Sequence, residues 1–157
     1  MKIRLAVSAA ALLVCAPLAG LAQETALTPG EPQSVIAAVT AGENQFYALT
    51  RCAGYFKAML TAAGGIDTEG EFADETRDAI RFLFGVAVEQ RMIETGEDQS
   101  DPDKIDRAAA FVIGMVDSHR DFYLLHMLAR HEEGLDIFDT MMLADRGACT
   151  FLQDQRD

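Results

Sequence analysis

The placement of proline is the feature that most restricts how this chain can fold. The 157-residue sequence holds four prolines, and Pro102 is the one that lies beyond residue 33. The long stretches on either side of Pro102 are rich in Ala, Leu, Met, Glu and Arg, which favour helix over strand. They contain no Asn-Gly or Asp-Gly hairpin signal. The sequence therefore predicts an all-α protein.

Apolar residues beyond residue 40 recur at the i, i+3, i+4, i+7 spacing of amphipathic helices. This pattern predicts a small up-down bundle of about four helices. Gly85 and Gly114 would fall at similar heights in such a bundle, so we expect the second and third helices to cross closely there. The predicted helices lie near residues 41–63, 70–95, 102–132 and 135–154.

Residues typical of helix ends flank these segments. Thr68 followed by Glu71 fits a capping box, in which a hydroxyl and a carboxyl group bond the unpaired amides of the first turn. In the pair Asp101-Pro102, the aspartate can cap a helix while the proline supplies a favourable first residue. Glycines suited to helix stops are Gly64, Gly65, Gly96 and Gly134.

The first 22 residues have the order of a secretory signal peptide. Lys2 and Arg4 precede an uncharged stretch, and small residues then lead to a cleavage site before Gln23. Cleavage there leaves 135 of the 157 residues in an exported protein of the periplasm or the extracellular space. The predicted organisation is a signal peptide at 1–22, a flexible leader at 23–33 and a single helical domain at 34–157.

Two other interpretations of the N-terminus are a membrane anchor and a lipid attached to Cys15. The apolar stretch is interrupted by Pro17 and is shorter than the ~20 residues that span a bilayer. The residue before a lipidated cysteine is normally small, whereas Val14 precedes Cys15. We therefore expect no membrane span after the signal is removed.

Cysteine usage points to one disulfide. Removal of the signal takes Cys15 away, so Cys52 and Cys149 remain in a compartment where thiols oxidise. If successive helices reverse direction at each turn, residue counts give the height of each residue along the bundle axis. At 1.5 Å per residue, the heights of these two cysteines differ by about 4.5 Å. We predict a bond between Cys52 and Cys149 that staples the first helix to the last.

The charge balance excludes one class of partner. The net charge is −12, and loss of Lys2 and Arg4 with the signal makes it −14. A nucleic acid would be repelled by this average field. We therefore expect no nucleic-acid binding. Because the chain is predicted to be exported, we expect any partner to be a protein of the cell envelope.

Histidines supply the candidate metal ligands. His119, Tyr123 and His126 share one face of the third predicted helix through i+4 and i+3 steps. Such side chains can hold a metal or haem inside a bundle. However, Val116 and Tyr123 occupy the positions where di-metal bundles place Glu, three residues before each His. In the other interpretation, the histidines have a structural role and form hydrogen bonds with neighbouring carboxylates. We assign no cofactor.

Aromatic residues of the first predicted helix supply the candidate partner contacts. Phe46, Tyr47, Tyr55 and Phe56 spread over more than one face of that helix. Core packing accounts for most of this patch, and the remainder would be exposed or covered by a partner. Phe46, Tyr47 and Tyr55 are therefore candidate partner-binding residues.

No strong catalytic motif is present. The sequence lacks His-Glu-x-x-His, Cys-x-x-Cys and Gly-x-Ser-x-Gly patterns, so no catalytic residue is assigned. By elimination, we predict an exported, non-catalytic helical protein with an interaction or stress-protective role. The alternative is a metal- or haem-binding helical bundle that uses His119 and His126.

Overall fold

The computed structural model describes residues 45–65 and 68–155, and within them the chain forms four α-helices and no strand. The predicted all-α bundle is confirmed for these residues. The predicted signal peptide and leader lie outside them. The helices are α1 (Gln45–Ala62), α2 (Glu71–Thr95), α3 (Pro102–Glu132) and α4 (Thr140–Asp154).

Helix α1 lies at the centre of the bundle, because it packs against α2, α3 and α4. Of its 18 residues, 12 are buried, and they run from Phe46 to Leu60 around the whole helix. A helix that is covered on all sides needs apolar or paired side chains on all sides. The one-sided stripe predicted for this helix is therefore too narrow.

The ends of two helices follow the predicted chemistry. α3 begins at Pro102, and the Asp101 side chain accepts a hydrogen bond of 3.1 Å from the Asp103 N–H. α2 ends at Thr95 and is followed by Gly96, whose φ of 65° is the left-handed conformation that glycine adopts without strain. The N–H groups of Gly96 and Glu97 donate to carbonyls of the last turn.

One predicted cap and one predicted helix start are wrong. α2 begins at Glu71, close to the predicted residue 70, but Thr68 does not cap it: Gly70 is the N-cap, and there is no side-chain cap. The φ of 117° at Gly70 turns the chain just before the helix, two residues beyond the start that the capping box implied. α4 begins at Thr140 rather than near 135, because the Asp139 carboxylate accepts a hydrogen bond from an N–H of the first turn.

A disulfide between Cys52 and Cys149 joins α1 to α4, as predicted. The two Cα atoms are 5.1 Å apart, and both side chains are fully buried. The bond closes a loop between residues 97 positions apart. In the chain-entropy model, a loop of this length stabilises the fold by about 4 to 5 kcal/mol, because it restricts the unfolded chain.

Gly54 marks the closest approach of two helices. A Cβ atom built on Gly54 would lie 2.5 Å from the Cβ of His119 and 2.9 Å from the backbone nitrogen of Arg120, so α1 and α3 cross here with no room for a side chain. The predicted close crossing at Gly85 and Gly114 is wrong, since a Cβ on either residue meets nothing within 4 Å. Both lie on open parts of their helices.

We expect Gly54→Ala to reduce the free energy of unfolding by about 2 kcal/mol or more, because α1 and α3 must separate to admit the methyl group. Gly114→Ala is the matched control. Alanine there should raise stability by up to about 1 kcal/mol through its higher helix propensity. Urea unfolding of the two variants and the parent chain measures both effects. Equal stabilities for the two variants would contradict the close approach.

Candidate functional site

Arg51 and Asp145 form an ion pair inside the bundle, and both side chains are fully buried. Arg51 Nη2 donates to Asp145 Oδ2 over 2.6 Å, while Arg51 Nε donates to the Tyr123 hydroxyl over 3.0 Å. Arg51 Nη1 donates to the Tyr47 hydroxyl over 2.8 Å, and the Tyr123 hydroxyl donates to Asp145 Oδ2 over 2.6 Å. We call these four side chains the buried polar network.

The electrostatics of the network keep its charges in place. Burial acts to lower the pKa of Arg51, but Tyr123 and the Asp145 carboxylate outweigh burial and raise that pKa above its ordinary value. Burial and the same carboxylate raise the pKa of Tyr123, so the phenol stays protonated and can donate. The Arg51 guanidinium also lies within 6 Å of the ring centres of Tyr47, Phe122 and Tyr123, which favour a cation.

The Arg51–Asp145 ion pair and the disulfide connect the same two helices, α1 and α4, at the same level. Arg51 directly precedes Cys52 in α1, and Asp145 lies one turn before Cys149 in α4. Because its groups are closed to solvent, the network is suited to fixing helices rather than to acting on a substrate. Arg51 and Asp145 were not among the predicted site residues, although an arginine inside the most apolar helix was a signal of a buried pair.

The structure places the two candidate metal ligands in different surroundings. His119 is 4% exposed, its ring meets Tyr47 edge to face at 5.2 Å, and its Nε2 atom has no hydrogen-bond partner among the described residues. His126 is half-buried and lies 2.9 Å from an Asp139 carboxylate oxygen. Among residues 45–65 and 68–155, no three His, Cys, Asp or Glu side chains converge as a metal site. Metal or haem binding by His119 and His126 stays a prediction.

The three candidate partner-binding aromatics are all buried by this chain. The Phe46 ring stacks on Phe111 at 5.9 Å, Tyr47 belongs to the buried polar network, and Tyr55 meets Tyr123 edge to face at 5.3 Å. They therefore form no broad exposed patch. Tyr55 nevertheless contributes to the floor of a surface groove.

This groove lies between the C-terminal half of α1, the N-terminal part of α2 and α4, and it has a volume of about 450 Å³. That volume falls within the range of small-ligand pockets in proteins, roughly 300 to 1,000 Å³. The Phe72 side chain is 56% exposed and the Phe138 side chain 38% exposed. The apolar residues that line the groove are Tyr55, Phe56, Met59, Phe72 and Phe138.

Polar side chains complete the groove. Thr76, Thr150 and Gln153 supply uncharged hydrogen-bonding groups. The charged residues of the lining are Glu75, Arg146 and Asp154, and none of them forms an ion pair with another described residue. The groove therefore combines an apolar floor with charges that are available to a ligand.

Comparison with known proteins gives no match from which a function could be inferred. No protein-family model matches the sequence, and neither a curated protein nor a solved structure shows significant similarity to it. Within the part of the chain that the structure describes, no helix has the length and apolar character needed to cross a membrane.

We expect Arg51→Met to reduce the free energy of unfolding by about 3 to 5 kcal/mol, because it leaves the Asp145 carboxylate buried without its cation. The double variant Arg51→Met/Asp145→Leu should recover most of that loss, since it removes both buried charges. Arg81→Met is the control for loss of an exposed pair, with Asp78, and should cost less than about 1 kcal/mol. Urea midpoints measure these changes. A double variant no more stable than the single one would contradict the role of the pair.

A second prediction concerns His119. Burial, and then repulsion by Arg51, lower the pKa of His119 from 6.5 to about 4. The unfolded chain therefore takes up a proton that the folded chain does not, and stability is lost as the pH falls from 6.5 towards 4. At 1.36 kcal/mol per pKa unit, the full loss is roughly 3 kcal/mol.

The free energy of unfolding, measured in urea at pH 7, 6 and 5, should fall less steeply with decreasing pH in His119→Leu than in the parent chain. His131→Asn, at an exposed position, is the control and should keep the parental slope. Identical slopes for His119→Leu and the parent would show that this imidazole is not held neutral by burial.

Proposed function

We propose that this chain is an exported, non-catalytic helical protein of the periplasm or the extracellular space, which acts by binding a protein partner in the cell envelope. Export is supported by the order of charged, apolar and small residues at the N-terminus and by the buried disulfide, a bond that persists in oxidising compartments. A stress-protective role is compatible with binding of this kind.

The groove between α1, α2 and α4 is the observation that carries the proposal. Apolar side chains that stay exposed next to a concave surface are typical of a contact site, and aromatic anchors contribute much of the energy of binding. Phe72 and Phe138 are such anchors, with Tyr55 beneath them. The chemically active groups of the buried polar network, by contrast, are closed to solvent, which favours binding over catalysis.

The experiment uses the full chain expressed in cells, with a photo-crosslinking residue at position 138. Intact mass of the exported fraction should correspond to a product that begins at Gln23. Irradiation should give a defined adduct with one envelope protein, and Phe72→Ala should reduce its yield at least fivefold, which corresponds to about 1 kcal/mol of binding energy. Because Phe72 is half exposed, this variant should unfold at nearly the same urea concentration as the parent chain.

A crosslinker at position 125 is the matched control. Leu125 is 65% exposed on α3 and does not line the groove, so a probe there should give no such adduct. The same adduct from both positions, or an adduct at position 138 that Phe72→Ala leaves unchanged, would contradict the proposed site. A product that still carries Lys2 and Arg4 would contradict export.

A further inference from the structure

The charged side chains of the groove indicate which kind of protein segment would fit it. Glu75 enters the lining from α2 and Asp154 from α4, so two helices each contribute a carboxylate. Arg146 is the one cation among the described residues of the lining, which leaves their summed charge negative.

The surroundings reinforce that sign. The N-terminal part of α2 also presents Glu71 to solvent, and the mature chain carries a net charge of −14. A field of this sign steers cations towards the surface and repels anions over a distance of roughly 10 Å at moderate salt. An approaching basic segment is therefore favoured before any contact is made.

Aromatic faces are also compatible with a cation. The face of a phenylalanine ring attracts ammonium and guanidinium groups through its quadrupole. Elsewhere in this molecule, the Arg91 guanidinium lies 4.3 Å from the centre of the exposed Phe111 ring. Phe72 and Phe138 offer rings of similar exposure in the same groove as Glu75 and Asp154.

We propose that the occupant of the groove is a cationic amphipathic segment of a protein. Its apolar side chains cover Phe72 and Phe138, and its lysine or arginine side chains pair with Glu75 and Asp154. The volume of about 450 Å³ holds a few side chains of such a segment rather than a folded domain. This inference rests on the groove being the contact surface proposed above.

Two synthetic helical peptides test the proposal. They share one leucine face, and the opposite face carries lysine in one peptide and glutamate in the other. Binding to the purified, oxidised mature chain is measured by fluorescence anisotropy at low and moderate salt. The lysine peptide should bind at least tenfold more tightly than the glutamate peptide, and added salt should weaken its binding.

Charge variants then locate the selectivity. Glu75→Gln/Asp154→Asn should weaken binding of the lysine peptide about tenfold, whereas Arg146→Gln should strengthen it. The matched control is Glu94→Gln/Asp106→Asn, which removes the same net charge from positions outside the groove lining and should change the affinity less than twofold. Equal losses in the two double variants would mean that overall charge alone attracts the peptide, and would overturn the proposal.

Phe72→Ala separates the failure of this inference from the failure of the proposed site. Binding of both peptides with equal affinity and loss of both in Phe72→Ala would leave the groove as a contact site but overturn its preference for cations. Tighter binding of the glutamate peptide, lost in Arg146→Gln, would overturn it as well. Two outcomes would show that the groove is not the peptide site and would overturn both proposals. One is peptide binding that Phe72→Ala does not change, and the other is a dimer of the chain that Phe72→Ala dissociates.

Discussion

The junction between α1 and α4 is the constraint on which the rest of the described structure depends. Two consecutive residues of α1 make it: Arg51 pairs with Asp145, and Cys52 bonds to Cys149. The disulfide restricts the unfolded chain, whereas the ion pair acts in the folded state, where it requires its partners at fixed distances. Because α4 forms one wall of the groove, the position of that wall follows from this junction. The shape of the proposed contact surface therefore depends on buried side chains that lie outside it.

A buried ion pair is not the most stable way to fill a core. Apolar residues of the same volume often give equal or greater stability, because charges must first be taken out of water. The pair adds geometric specificity, since the Arg51 guanidinium donates to Asp145, Tyr123 and Tyr47 at the same time. An arrangement in which α4 slides by one turn would bury both charges unpaired, at a cost of several kcal/mol. The network thus selects one register of α4 on α1, next to the disulfide that maintains it.

The fold could be predicted from the sequence where local chemistry decides the outcome. Proline spacing, the Asp101 cap and the Gly96 stop each act within one turn of helix, and the disulfide needed only two remaining cysteines and a count of residues. Local chemistry failed at the Thr68 cap and at the start of α4, and the other wrong predictions concern contacts between helices. The apolar spacing of α1 suggested one stripe, but three neighbours cover this helix and leave no polar face. Gly85 and Gly114 matched in height, yet the close crossing falls at Gly54, because packing rather than level decides which helix faces meet.

The candidate site was beyond prediction for a related reason. Phe72 and Phe138 lie 66 positions apart in the sequence, and nothing in either local segment indicates that they share a surface. An arginine in an apolar helix indicates a buried acidic partner. It does not identify that partner, because Asp145 is one of 25 acidic residues. The structure divides the charged side chains into different environments: Arg51 and Asp145 are paired and closed to solvent, whereas Glu75, Arg146 and Asp154 stay without an ion-pair partner in the described residues. Charges of the first kind are already compensated within the fold, and only those of the second kind can be compensated by a ligand. For this reason the groove, rather than the buried polar network, is the proposed contact site.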